Sequence, residues 1–260
     1  MEQKVIYYKD ELNDEFSTAE INPIIIDEKY KYEHNFLWNL CSFVLQNFLS
    51  MPIKIFYAKI KFKHIIIGKE KFKKCKKRGY FIYANHTQEF ADTFFPSLSN
   101  YPKRNFFIVN PENVSMKGLK HLVELLGAIP VPGNIKSTKK FKEIINKHIN
   151  KKHSITIYPE AHIWPYYTKI RSFKNVSFKY PVELNAPIYT ITNTYCLNKK
   201  KIQIISYVDG PFFPNSDISK KDAQSNLRNI AYKTMCERAK ESSYEHIKYI
   251  KKQELRQVKS

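Results

Sequence analysis

The chain has 260 residues, of which 43% are hydrophobic, which is enough for one large domain with a buried core or for a domain with an appendage. A formal charge of +20 indicates a preference for anionic surroundings: nucleic acid, an anionic membrane surface or acidic substrates. The four cysteines are scattered without a CxxC pair, which argues against a disulfide framework and a zinc site and favours a reducing compartment. They are Cys41, Cys75, Cys196 and Cys236.

The first 58 residues contain two different segments. Residues 1–33 are mixed and charged, and they predict a solvated extension. Residues 36–49 predict a helix that is apolar almost all round, with a narrow polar stripe at helical spacing. The stripe consists of Asn39, Ser42, Gln46 and Ser50.

This helix is shorter than the roughly 20 residues that cross a bilayer, and we expect Pro52 to interrupt it. Residues 34–58 therefore predict an amphipathic element that lies in a membrane interface. Lysines that would meet anionic headgroups follow at positions 54, 59, 61 and 63. The alternative is a core helix that covers a sheet.

From residue 59 to residue 245, strand and helix patterns alternate. Strands are predicted at 60–68, 80–84, 106–109, 128–131 and 154–158, and helices at 116–126 and 139–149. Such alternation indicates an α/β domain, with a mainly parallel or mixed sheet flanked by helices. Further on, a late or edge strand is expected at 202–207 and a helix from Asp217 or Ser219 to about Glu241, with Leu227, Ile230, Ala231 and Met235 on its apolar face. Residues 246–260 predict a basic tail.

The most informative stretch follows the apolar run 80–84, which predicts a buried strand running directly into a polar turn with His86. Open α/β sheets bind ligands at the carboxyl ends of their strands, and a histidine with a pKa near 6.5 is suited to proton transfer there. Glu89 or Asp92 could orient the imidazole. An unbroken helix would place Asp92 about 120° and Glu89 about 60° away from His86, so Asp92 requires a bend.

His86 with Asp92, preceded by Asn85, resembles the first motif of the glycerolipid acyltransferase family, whose best-known members are lysophosphatidic acid acyltransferases. The usual spacer between His and Asp has four residues, and here it has five. Three later landmarks follow in the family's order. Gly127 and Ile129 resemble the Gly-x-Ile motif, and Tyr158, Pro159 and Glu160 resemble the Phe-Pro-Glu motif. Pro187 resembles the start of the Pro-Ile strand that closes the set.

The resemblance implies transfer of a fatty acyl group from acyl-CoA or an acyl carrier protein to a lysophospholipid. The first candidate acceptor is 1-acyl-sn-glycerol-3-phosphate, which would give phosphatidic acid. His86 would act as general base and Asp92 would orient it, with no metal and no other cofactor. The resemblance also implies a peripheral or monotopic enzyme on the cytoplasmic face of a membrane.

Arginines in the family's second and third motifs hold the acceptor's phosphate, and this chain has none in register: Ile163 stands at one position and Gly133 near the other. The candidate replacements are Lys136, Lys139, Lys140 and Arg171, with Asn85 and Glu160 also expected at the substrate. Lys169 and Lys174 are further cations nearby. The alternatives are a solvated basic surface and an acceptor such as another lyso-lipid or a glycolipid.

An alternative function of a different class is that of a basic, non-enzymatic module, which would bind membrane or nucleic acid through its charge and through aromatic stacking. The cations are dispersed and the predicted strands account for most of the aromatic residues, so a nucleic-acid partner is not expected.

Overall fold

A computed structural model describes residues 3–16 and 21–252. Within them lie the strands β1 (Lys4–Tyr8), β2 (Ile65–Ile67), β3 (Tyr80–Ala84), β4 (Asn105–Val109), β5 (Ala128–Pro130), β6 (Ser154–Ile157), β7 (Ile188–Asn198), β8 (Lys201–Phe212) and β9 (Ile247–Lys251). The helices are α1 (Phe36–Phe62), α2 (Phe94–Asn100), α3 (Lys120–Leu125), α4 (Ile135–Asn150), α5 (Lys179–Glu183) and α6 (Lys220–Ala239).

Seven of the strands form one sheet in the order β2-β8-β7-β3-β6-β4-β5. All neighbours are parallel except β7 and β8, which form an antiparallel hairpin. This confirms the predicted α/β fold with a mixed, mainly parallel sheet. β8 lies between β2 and β7, so the expectation of a late strand is confirmed but its alternative placement at the edge is wrong.

β3 occupies the middle of this sheet, and all of its side chains are buried. Because side chains alternate along a strand, Phe81 and Tyr83 pack with α4 and α6 on one face, while Tyr80 and Ile82 face the other. Burial on both faces explains why the sequence of β3 is continuously apolar. In α6, Leu227, Ala231 and Met235 are buried as predicted, whereas Ile230 is exposed.

α1 differs from the prediction in length. It continues from Phe36 to Phe62 through Pro52, and residues 60–62, expected in a strand, form its last turn. A widened turn over Leu45–Leu49 shifts the hydrogen-bond register directly before the proline, since the Ser50 N–H bonds the Leu45 carbonyl. Among the described residues, α1 is the helix whose length and composition would allow it to cross a membrane.

The two ends of the chain meet. β1 pairs in parallel with β9 along Lys4–Tyr8 and Ile247–Lys251, and Ile26 is fully buried. The prediction of a solvated extension over residues 1–33 is therefore wrong for these parts, and so is the prediction of a separate tail from residue 246. Residues 17–20 and 253–260 lie outside the described residues. The boundary predicted between residues 58 and 59 falls inside α1.

Candidate active site

The chain turns sharply after β3 and brings Asp92 back onto His86. The His86 Nδ1 atom lies 2.7 Å from Asp92 Oδ2. The same oxygen accepts hydrogen bonds from the backbone N–H groups of Thr87 at 2.8 Å and Gln88 at 2.9 Å. The spacer is thus a turn closed around one carboxylate oxygen, and a short 3-10 turn begins only at Ala91.

Asp92, and not Glu89, contacts the imidazole. Glu89 is exposed, whereas the Asp92 side chain is 2% exposed and the His86 side chain is 18% exposed. Because a carboxylate only accepts hydrogen bonds, the His86 Nδ1 atom carries the proton. The lone pair is then on Nε2, which has no hydrogen-bond partner among the described residues. This imidazole can accept a proton from a hydroxyl group placed at Nε2.

Burial raises the pKa of the Asp92 carboxyl group, while its bonds to His86 and to the two backbone amides favour the charged form. Its second oxygen, Oδ1, is buried without a hydrogen-bond partner in the described part of the chain. The hydrogen bonds that Asp92 accepts through its side chain in the described part of the chain therefore all lie on the oxygen that faces His86.

Glu160 supports the turn from below. One carboxylate oxygen accepts the backbone N–H of His86 at 2.9 Å, and the other accepts the backbone N–H of Arg171 at 2.8 Å. Burial raises the pKa of Glu160, and the Arg171 guanidinium, 3.9 Å away, opposes that shift. Both oxygens are thus bonded within the protein, and the prediction that Glu160 binds substrate is wrong in this arrangement.

Arg171 is itself buried, at 1% exposure. Its guanidinium donates to the carbonyl of His162 and lies 4.9 Å from the Trp164 ring. The prediction that Arg171 replaces a phosphate-binding arginine is therefore wrong, because its cation is used inside the fold. The reason is its partner Glu160, eleven residues away in the sequence.

Asn85 also has an internal role. Its side chain donates to the carbonyl of Asn193 at 3.0 Å and accepts the N–H of Asn193 at 2.8 Å. These two bonds fix the end of β3 to the neighbouring β7. The Asn85 side chain is buried, so the prediction that it contacts substrate is wrong.

Two tyrosines complete the wall of the site. The Tyr158 ring stacks on the His86 ring with centroids 4.4 Å apart, and its hydroxyl donates to the Asp92 carbonyl at 2.5 Å. The Tyr195 hydroxyl donates to Thr87 Oγ1 at 2.7 Å. Tyr158 was identified through its motif. Tyr195 was missed, because no local pattern marks a β7 residue that reaches the turn.

The remaining motif residues shape the sheet. Gly127 has φ +101° and lies so close to β4 that a Cβ atom would be 3.0 Å from the Asn105 carbonyl oxygen. Ile129 is buried in β5. Pro159 follows β6 beside Glu160, and the carbonyl of Pro187 accepts the N–H of Phe81 at 3.0 Å.

The predicted phosphate-binding lysines lie at the same edge of the sheet as His86 but not beside it. Lys136, Lys139 and Lys140 are exposed in the first turns of α4, directly after β5. β5 is three strands from β3, or about 14 Å at the usual strand spacing. Lys140 donates to the carbonyl of Glu28, which leaves Lys136 and Lys139 as the candidates for an acceptor's phosphate.

Comparisons with known proteins bear on the fold and the family of the chain. A family model described as Acyltransferase matches residues 63–194. A solved structure, the 1-acyl-sn-glycerophosphate (LPA) acyltransferase PlsC from Thermotoga maritima, superposes with a TM-score of 0.51 at 15% sequence identity. The match covers 81% of this chain and 98% of that one, and it shows a common fold. No curated protein matches this chain in sequence. Because the family match spans half of the chain and includes all four landmarks, the chain belongs to the family described as Acyltransferase.

Proposed function

We propose that this acyltransferase moves a fatty acyl group from a thioester, acyl-CoA or an acyl carrier protein, to the free hydroxyl of a lysophospholipid at a membrane surface. The first candidate acceptor is 1-acyl-sn-glycerol-3-phosphate. The observation that carries the proposal is the 2.7 Å contact between His86 and Asp92, with Nε2 unengaged at the carboxyl end of β3.

In the proposed reaction, His86 Nε2 takes the proton of the acceptor hydroxyl while its oxygen attacks the thioester carbonyl. Asp92 fixes the Nδ1–H tautomer and stabilises the imidazolium that forms. When the tetrahedral intermediate collapses, the C–S bond breaks and the thiolate takes the proton from the imidazolium. The proton taken from the acceptor hydroxyl leaves with the thiol, so His86 is again neutral at the end of the reaction.

A direct transfer is favoured over an acyl-enzyme. A thioester is already activated, and a nucleophilic cysteine would need a paired base. Cys196 lies within β7 and points its thiol at Gln203 Oε1 at 3.5 Å, and burial raises the pKa of the thiol. It is therefore held as a thiol and is not prepared as a nucleophile.

The membrane part of the proposal rests on α1. A helix of a soluble protein usually buries its apolar side and exposes its polar side, and α1 does the opposite. Its polar side is buried: the Ser42 hydroxyl and the Gln46 amide both donate to the Leu125 carbonyl, at 2.7 and 3.0 Å. Its apolar side is exposed, with Phe36 at 82% and Phe56 at 68%. A stripe of this size is covered by a partner or by lipid, and the net charge of +20 favours anionic lipid.

The apolar side of α1 is continuous with the catalytic turn. Phe90, within the five-residue spacer, is 63% exposed and lies 5.6 Å from the Tyr57 ring of α1 and 4.9 Å from the Phe94 ring. An acceptor whose acyl chain stays in the bilayer would therefore meet His86 beside Phe90. This supports transfer at the lipid surface over transfer in solution.

The test is an assay of purified protein with labelled acyl-CoA or acyl carrier protein and vesicles that contain single lysophospholipids. We expect a diacyl lipid from the wild-type protein and a loss of about 10²–10⁴ in kcat, or more, for His86→Ala at an unchanged Tm. Near-wild-type turnover of a folded His86→Ala variant would refute the mechanism.

The acceptor's phosphate is tested with Lys136→Gln and Lys139→Gln. We expect either change to raise the KM of a phosphorylated acceptor by about tenfold or more, because a lost charge-assisted contact costs about 1.5–3 kcal/mol. The KM of the donor and of a phosphate-free lyso-lipid should not change, and Lys220→Gln, far along the chain in α6, is the matched control. Equal effects on both acceptors would assign these lysines to a solvated surface and favour another lyso-lipid or a glycolipid.

A further inference from the structure

A polar cavity lies near the amino-terminal ends of the parallel strands β4 and β6, whereas His86 lies at the carboxyl end of β3. Its volume is about 100 Å³, several times the roughly 10–15 Å³ that one water molecule needs. It is enclosed by α1, β4, β5, α4 and the segment Tyr30–His34. Arg104 and His153 mark its position, since each directly precedes the start of a parallel strand whose other end faces the catalytic edge.

Arg104 forms one wall of the cavity, and no carboxylate among the described residues pairs with it. Its guanidinium donates to Ser42 Oγ at 2.8 Å and to Gln46 Oε1 at 3.3 Å, which are both neutral oxygens. It also lies 5.0 Å from the Phe106 ring, and burial lowers its pKa to about 10. Arg104 is half-buried, and a guanidinium withdrawn from water is normally paired with an anion, so this one lacks its usual counter-charge.

Two histidines lie beside Arg104. The Nδ1 atoms of His148 and His153 are 3.1 Å apart, so one ring donates to the other and the two cannot both carry a proton at Nδ1. The rings of both pack on Phe106, at 3.7 and 5.2 Å between centroids. Burial lowers the pKa of each, and the charge of Arg104 lowers both further. The pair is therefore neutral, with a positive potential around it.

The mouth of the cavity is also cationic. The lining residues with a permanent positive charge are Lys31, Arg104, Lys147 and Lys151, and those with a negative charge are Glu33 and Glu124. Glu33 is paired with Lys147, and Glu124 is bonded to Tyr30 and His121. The lining thus has an excess of two positive charges, and its two carboxylates are already engaged.

We propose that this cavity binds a phosphate group, separately from the catalytic site. A tetrahedral dianion would match the excess charge, accept the donors of Arg104 and Lys151, and accept an N–H from the histidine pair. Two sources share this chemistry: the phosphate headgroup of a lipid beside α1, and a soluble phosphate compound. The assignment does not depend on which acceptor the enzyme acylates.

The experiment follows the histidine Cε1–H signals of the whole protein by NMR during a titration with inorganic phosphate, with ionic strength held constant by chloride. His148→Gln and His153→Gln assign the two signals. We expect both signals to move and to saturate, because a phosphate that accepts an N–H from one ring changes the surroundings of both hydrogen-bonded rings, while the His86 signal stays in place. A parallel titration with a short-chain phosphatidic acid distinguishes the sources: saturation at lower concentration by the lipid indicates a headgroup site, and the reverse indicates a soluble ligand.

Two variants of the cavity and one control variant test whether phosphate binds at this cavity. Arg104→Gln should weaken phosphate binding by at least about tenfold. Lys151→Gln should also weaken phosphate binding, but this variant leaves the bonds of Arg104 to α1 intact. A loss of binding in Lys151→Gln therefore cannot be caused by a displaced α1. Lys220→Gln makes the same charge change outside the cavity and should bind normally. Signals that do not move with either probe, or an equal loss in all three variants, would overturn the proposal.

Discussion

At the scale of single residues, the polar groups around His86 divide into those that hold the turn and those left to react. Asn85, Glu160 and Arg171 form their hydrogen bonds within the protein, and each fixes one segment of the backbone. His86 Nε2 belongs to a partly exposed ring and has no hydrogen-bond partner in the described part of the chain. The motif pattern thus identifies the site, but Asn85, Glu160 and Arg171 hold the backbone around the base through bonds within the protein.

A substitution of Asp92 tests most directly whether a polar group beside His86 positions the base. In Asp92→Asn, the amide oxygen can still accept the three hydrogen bonds that Asp92 Oδ2 accepts, while the NH₂ group would take the place of Oδ1, which has no partner in the described part of the chain. The substitution therefore removes the negative charge and changes the turn little. We expect kcat to fall by about 10²–10⁴ because the imidazolium that forms in the reaction loses its counter-charge.

Glu89→Gln is the matched control, since it neutralises an exposed carboxylate three residues away in the same turn. Its kcat should stay within about twofold of wild type. Steady-state kinetics of both variants decide the matter, and equal losses of kcat would contradict the assignment of Asp92 as the orienting group.

The sequence was sufficient to find the site because each landmark lies next to a strand, and parallel strands bring such ends to one edge. It was not sufficient to assign Asn85 or Arg171, because their partners are distant in the chain. Asn85 bonds Asn193 in β7, and Arg171 pairs with a Glu160 that looked available for substrate. A polar residue can be placed from local pattern, but its use depends on contacts that only the tertiary structure provides.

At the scale of elements, the predictions were reliable where a segment was long and periodic. α4 and α6 were expected from their apolar spacing and found with somewhat different bounds. Residues 60–62 were assigned to a strand because three alternating residues fit either period, and the preceding helix decides. The β1–β9 pair was missed because its strands come from opposite ends of the chain.

α1 provides the prediction at this scale. Phe36, Phe48 and Phe56 are 82%, 58% and 68% exposed, so their replacement by serine should leave the free energy of unfolding nearly unchanged. If these rings enter lipid, each contributes up to about 1.5–3 kcal/mol, and the triple variant should bind anionic vesicles at least about tenfold more weakly.

Vesicle sedimentation measures this affinity, with Ile230→Ser as the control, because Ile230 is an exposed apolar residue on α6 rather than on α1. Raising the salt concentration should weaken the wild-type protein further through its basic residues. Unchanged vesicle binding by the folded triple variant would show that lipid does not cover this side of α1.

At the scale of the whole molecule, the response to acid is set by histidines that are buried in their neutral form. His64 is the clearest case, since it is outside both proposed sites. Its Nε2–H donates to Ser206 Oγ at 2.8 Å, and Ser206 in turn donates to Asn193. Burial lowers the pKa of His64 to about 4.

The sign of the pH effect follows from this lowered pKa. Above about pH 6.5 the imidazole is neutral in both states and has no effect on stability. Between pH 6.5 and 4 the unfolded chain binds a proton that the folded protein does not, so the free energy of unfolding falls as the pH falls. His64 alone should account for a loss of about 2 kcal/mol between pH 7.5 and pH 5.

His64→Gln keeps an amide donor near Ser206 and removes the titration, so its stability should decline less between these two pH values. Urea unfolding at pH 7.5 and pH 5 measures the difference, and comparison with the wild type cancels the other titrating groups that both proteins share. His121→Gln is the control, because it removes a histidine whose side chain is 76% exposed. If His64→Gln lost as much stability as the wild type, solvent would have to reach His64 in the folded protein, contrary to its burial beside Phe95.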